Sequence, residues 1–158
     1  EVHGFSLEKL YELSEGMEFL DQLQDFMKDF FDADFVIGHN VQFDIKFLKH
    51  ELNSLYEVGM IDETWEPKNS FCTMAYYKNI CNIPAPRGNG IKNPKLSEVI
   101  DFLNISQDKI ATKANELFQG SGNYHDARFD TAAAYLLVIE GIKQKYIKPG
   151  FFSEQLKK

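Results

Sequence analysis

Phe35-Val36-Ile37-Gly38-His39-Asn40-Val41-Gln42-Phe43-Asp44 is the stretch on which the reading of this chain turns. Its first four residues are apolar and flanked by polar ones, the signature of a short buried strand. After the polar His39-Asn40 pair, helical spacing begins and runs from Val41 to about Asn53, with Phe47, Leu48, Leu52 and Leu55 marking the side expected to be buried. Asn40 is placed to act as N-cap. A strand that passes through a polar turn into a helix is a common place for a site in α/β proteins, because ligands settle at the carboxyl ends of strands. Asp44 falls in the first helical turn, where its carboxylate would face the strand end and could meet a hard cation. The same residue admits a plainer reading, in which it only complements the helix dipole.

Outward from this stretch, Ser6–Leu13 predicts a short helix, and Gly16 separates it from a second one. In that second helix Phe19, Leu20, Leu23, Phe26, Met27, Phe30 and Phe31 recur at steps of three and four. Asp32-Ala33-Asp34 ends it. Downstream, Ser70–Ala75 predicts another strand and Tyr76–Ile80 the start of a helix. Pro84, Pro86, Gly88, Gly90 and Pro94 mark a loop. That loop carries Arg87, Lys92 and Lys95 and no acid, which suits either contact with a phosphate backbone or a solvated surface. Leu96, Val99, Ile100 and Leu103 restore helical spacing. Gly120-Ser121-Gly122-Asn123 leads into a last long helix, predicted over Asp126–Lys145. Its Ala127, Thr131, Ala134, Leu137, Val138 and Gly141 form a small-residue face, and Pro149-Gly150 is expected to stop it. No internal repeat is present. The organisation expected is one domain over residues 1–148 with a C-terminal tail over 149–158.

The bulk properties narrow the classes. The chain has 158 residues, 44% hydrophobic and 26% charged, an ordinary globular balance. The net charge of −7 argues against simple coating of nucleic acid, which relies on phosphate contacts. It is compatible with an enzyme that holds a strand end through cations, because bound ions invert local electrostatics. The two cysteines, Cys72 and Cys81, form neither a CxxC pair nor a zinc spacing and read as reduced thiols. No apolar run approaches the roughly 20 residues of a membrane helix, and Glu1-Val2-His3-Gly4 has no signal-peptide character. A soluble, cytoplasmic protein with no membrane partner is expected.

A second polar cluster, His125-Asp126-Ala127-Arg128-Phe129-Asp130, opens the last helix. Residues five apart on a straight helix lie about 140° from alignment. His125 and Asp130 therefore converge only if His125 sits in the preceding loop and bends over the first turn. A histidine so placed beside an activated water suits general-base work, since its ordinary pKa lies near neutrality. The plainer reading is a surface histidine, with Asp126 as N-cap and Asp130 solvated.

Taken together, His-Asn-x-x-Phe-Asp after a short apolar strand and His-x-x-x-x-Asp opening a late helix resemble the second and third motifs of the DEDDh (DnaQ-like) 3′→5′ exonuclease family. That family includes the epsilon-type proofreading exonucleases of bacterial DNA polymerase III, RNase T and oligoribonuclease. Val2-His3-Gly4-Phe5, the run Asp32–Gly38, Phe71-Cys72-Thr73-Met74 and Lys95-Leu96-Ser97-Glu98-Val99 resemble further family segments in the same order, with Cys72 where an acid is usual. The resemblance spans Val2 to about Ile142. It implies a ribonuclease-H-like α/β fold and hydrolysis of single-stranded nucleic acid from a 3′ end, releasing nucleoside 5′-monophosphates. It implies two divalent ions, Mg²⁺ or Mn²⁺, with Asp44 and Asp130 as metal ligands. His125 would be the general base, and His39, Asn40 and Phe43 would line the wall beside the terminal nucleotide. Phe43 has the alternative of packing in the core. The implied partners are a DNA or RNA 3′ end, with DNA favoured, and a DNA polymerase subunit.

One departure is plain. The family's first motif, Asp-x-Glu on a strand, aims two carboxylates to one face, and this sequence has no Asp-x-Glu anywhere. Asp62-Glu63-Thr64 does not replace it, because adjacent strand residues point to opposite faces and the order along the chain is wrong. The missing motif and the first strands are expected upstream of Glu1, and the chain as written is expected to be inactive alone. Two further readings stand beside the exonuclease: a non-catalytic nucleic-acid- or protein-binding domain on the same fold, and another metal-dependent phosphoesterase.

Overall fold

Two short parallel strands organise the helices around them. The computed structural model describes residues 6–17, 19–118 and 127–157. In it β1 (Val36–Gly38) pairs with β2 (Ser70–Cys72), with Ile37 opposite Phe71 and Gly38 opposite Cys72. The described helices are α1 (Leu7–Leu13), α2 (Leu23–Asp32, entered through a 3-10 turn at Phe19–Gln22), α3 (Val41–Glu57), α4 (Thr73–Cys81), α5 (Leu96–Phe102), α6 (Gln107–Phe118), α7 (Ala127–Lys143) and α8 (Phe151–Gln155). The fold is thus α/β with helices predominating and a small parallel sheet.

Strand alternation divides the core. Val36 and Cys72 turn toward a cluster built on α2 and α3, around Leu23, Val41, Ile45, Leu52 and Trp65. Trp65 is buried there, and its indole N–H donates to the Phe30 carbonyl at 3.1 Å. Phe71 turns the other way, onto Val138 and Ile147, with Phe35, Phe151 and Phe152 packed beside them. A third cluster joins α4, α5, α6 and α7 through Tyr77, Ile100, Leu103, Ile110, Phe129 and Leu137.

Several sequence expectations shift. The strand predicted to Ala75 ends at Cys72, and α4 starts at Thr73; a short apolar run carries no period that separates strand from helix. On α3 the buried residues are Val41, Ile45 and Leu52, and Phe47 is 54% exposed. Phe47 lies two residues from Ile45, about 200° round the helix, and pairs with Phe43 at 4.8 Å between ring centres. Helix α6 carries only Ile110 and Ala114 as fully buried residues, too sparse a stripe to read from sequence.

On α7 the small-residue face holds from Ala134 through Leu137, Val138 and Gly141, while Ala127 and Thr131 are exposed. The helix ends at Lys143, ahead of Pro149-Gly150. Lys145 takes φ +66°, and the Ile147 amide donates to the Gly141 carbonyl at 2.9 Å, a left-handed closure of the last turn. Gly150, at φ +82°, is the N-cap position of α8. Among the described residues no helix is long and apolar enough to cross a membrane.

Candidate functional site at the carboxyl end of β1

The site region forms where β1 stops and the chain turns at once into α3. A Cβ added to Gly38 would stand 3.2 Å from Val41 Cγ2, so the turn is tight enough to favour glycine. Asn40 occupies the N-cap position with φ +71° and makes no side-chain capping bond. This corrects the expected cap. A capping residue takes extended dihedrals, whereas Asn40 adopts the left-handed conformation that asparagine tolerates better than most residues. Its carbonyl accepts from the Phe43 amide at 2.9 Å, and its side chain is exposed at the end of the strand.

His39 is fixed on both ring nitrogens. Nε2 lies 2.9 Å from the Pro94 carbonyl oxygen and Nδ1 lies 3.1 Å from Thr73 Oγ1. Thr73 is wholly buried, and its hydroxyl is also 3.2 Å from the Gly38 carbonyl. A carbonyl only accepts, so Nε2 carries a proton. In the neutral ring Nδ1 is then an acceptor, and the single Thr73 hydrogen faces two acceptors, Nδ1 and the Gly38 oxygen. Protonating Nδ1 removes that competition. Burial nevertheless pushes the His39 pKa down, opposed by the Pro94 carbonyl and by the negative charge of Asp130.

That last contribution joins the two polar clusters. Asp130 lies in the first turn of α7, which packs against β1, and its charge acts on His39. Its Oδ1 is shielded from solvent. Asp44, in the first turn of α3, instead borders a groove of about 320 Å³ lined by Phe26, Phe30, Phe43, Phe47 and Leu48. More than a third of Asp44 stays open, yet the surrounding rings desolvate its carboxylate and push its pKa up, opposed by its own backbone amide. Phe43 is 59% exposed on the rim, so it forms wall and not core. The structure thus packs the helix that carries Asp130 against the strand that ends just before His39, and sets Asn40, Phe43 and Asp44 at the start of α3. His125 lies outside the described residues, as do Asp126 and the Val2–Phe5 segment.

Carboxylate oxygens are the right donors for Mg²⁺ or Mn²⁺, and the desolvation of Asp44 is what a neighbouring cation would offset. Two carboxylates are too few to enclose such an ion. Among the described residues no three His, Cys, Asp or Glu side chains converge as a metal site. Asp44 lines the aromatic groove, and Asp130 is not among the residues that line it. Thr73 and Pro94 belong to the site region and were not read from the sequence. Parallel pairing of Val36 with Ser70, continued three residues on, sets His39 opposite Thr73, a register that the fold supplies.

A larger groove of about 490 Å³ lies between α6 and α7. Its lysines are already engaged: Glu140 takes Lys109 at 2.8 Å and Lys143 at 2.9 Å, and Glu116 takes Lys113.

No protein-family model, no curated protein and no solved structure matches this chain.

Proposed function

We propose that this chain belongs to a metal-dependent 3′→5′ exonuclease domain of the DEDDh type with a ribonuclease-H-like fold, whose Asp-x-Glu motif is not among the residues of the present sequence. The observation that supports the reading is the packing of α7, with Asp130 in its first turn, against β1, the strand that runs into α3 and its first-turn Asp44. Asp44 and Asp130 would supply carboxylate oxygens to divalent ions. Those ions, when bound, would polarise the scissile phosphodiester and acidify the attacking water. His125 would accept the proton of that water on a ring nitrogen. Asn40 and Phe43 would flank the terminal nucleotide, the first by hydrogen bonding and the second by an aromatic face. His39, held by Thr73 and Pro94, would keep the strand end rigid beneath them. The products are nucleoside 5′-monophosphates.

The test is degradation of 5′-labelled single-stranded DNA and RNA oligonucleotides by the full-length protein with Mg²⁺ or Mn²⁺. Asp130→Ala is expected to lower the rate by at least about a hundredfold, the scale on which loss of charge stabilisation in a transition state is felt. Wild-type rates in that variant would sink the assignment. A second reading, a binding domain without catalysis, draws on the absence of a three-ligand cluster among the described residues. It predicts strand binding that is indifferent to metal and no cleavage.

A further inference from the structure

We infer that the basic hairpin ahead of α5 is a clamp for the sugar–phosphate backbone of a single strand, an assignment that rests on the nuclease reading of the neighbouring site. Residues 83–95 carry Arg87, Lys92 and Lys95 and no acid, in a chain of net charge −7. The segment folds on itself: the Ala85 amide donates to the Gly90 carbonyl at 2.8 Å, the Lys92 amide to the Ile83 carbonyl at 3.0 Å, and Pro84 bridges Ile91. Gly88 turns the exposed tip at φ +81°.

Both structural anchors lie at the hairpin's base. Pro94 is buried and accepts from His39 at 2.9 Å, which ties the base to the carboxyl end of β1. Glu98 of α5 pairs with Lys92 and accepts the Lys95 amide at 2.7 Å. Lys92 is thereby neutralised. Arg87 at the tip and Lys95 at the base are exposed; Lys95 lies within electrostatic reach of Glu98, whose ion pair among the described residues is with Lys92.

Two cations spread along one ribbon suit an extended polyanion better than a compact one. The bond from Pro94 to His39, the residue before Asn40, ties their base to the end of β1 and sets that polyanion's path toward the site. They also offset the repulsion that the acidic chain would exert on phosphates. Lys95 takes a phosphate close to the strand terminus and Arg87 one further along.

The experiment is fluorescence anisotropy of the full-length protein with an eight-nucleotide single strand and with a dinucleotide, across a salt series, with Ca²⁺ replacing Mg²⁺ so that the strand stays intact. Arg87→Ala and Lys95→Ala are each expected to weaken binding of the longer strand by about three- to tenfold. Each should also lower the slope of log affinity against log salt by about 0.7, the share of one phosphate contact. The affinity gain from dinucleotide to eight nucleotides should shrink in both variants. If both variants keep the wild-type slope, the clamp is wrong, whether or not the protein shortens strands with Mg²⁺. If the slope falls as expected but the wild-type protein shortens no strand, the clamp stands and the exonuclease reading fails. A wild-type protein that binds no strand removes both.

Discussion

Asp44 is a carboxylate whose surroundings work against its charge. Phe26, Phe30, Phe43 and Phe47 border the groove it faces, and desolvation lifts its pKa above the ordinary 3.8. An acid with a raised folded-state pKa binds its proton more tightly in the native chain. Stability therefore falls as pH rises from the unfolded value through the folded one, and the ionised group is a net cost at neutral pH. Asp44→Asn is expected to raise the melting temperature at pH 7 in metal-free buffer, with the gain vanishing well below pH 3.8. Under the proposed function the same substitution depresses strand degradation, the trade expected where a site is built at the expense of stability. Calorimetry at the two pH values checks it; an unchanged or lower melting temperature at neutral pH would show that Asp44 bears no desolvation cost. His39 behaves differently, because its polar partners are built in. Those partners lie 34 and 55 residues away in sequence, so nothing in the His-Asn-x-x-Phe-Asp stretch itself could announce them.

Among the elements, the β1–α3 junction was the most legible. An apolar quartet followed by two polar residues and a renewed helical period leaves few alternatives, and the strand and helix fall where that pattern puts them. Phe47 escaped because its spacing suits either flank of α3, and the choice is made by where α2 and Trp65 pack. Helix α7 shows the same limit from the other side. Its small-residue face predicts close packing without naming the neighbour, which is Tyr77 of α4. The Tyr77 hydroxyl donates to the Leu137 carbonyl at 2.9 Å, and a Cβ on Gly141 would lie 2.1 Å from that oxygen. Nothing that close can be accommodated without moving α4 or breaking the buried hydrogen bond. Gly141→Ala is expected to destabilise the protein by about 1–3 kcal/mol, the usual cost of overpacking. Urea denaturation measures it. Adding Tyr77→Phe should recover part of the loss, because the clashing oxygen is gone; purely additive losses would place the strain elsewhere.

For the molecule as a whole, the two first-turn acids sit on elements that belong to different buried clusters. Asp44 rides on α3, packed with α2 and Trp65, and Asp130 rides on α7, packed with α4, α5 and α6. Among the described residues the short β1–β2 ladder, with α3, α4 and α7 packed on it, joins these halves. A divalent ion held by residues from both halves would bind the folded chain and not the unfolded one. At a concentration a hundredfold above its dissociation constant, such an ion adds about 2.7 kcal/mol of stability. Mn²⁺ is therefore expected to raise the melting temperature of the full-length protein, with chelator reversing the rise and NaCl of equal ionic strength failing to reproduce it. The decisive comparison is Asp130→Asn. A chain of net charge −7 attracts cations in a diffuse way, and that attraction barely changes when one of 24 acidic residues is neutralised. A specific ligand set, by contrast, loses a donor and much of its affinity. Loss of the Mn²⁺-induced rise in Asp130→Asn would tie the ion to the carboxyl end of β1, and an undiminished rise would assign the effect to the acidic surface and detach Asp130 from any metal.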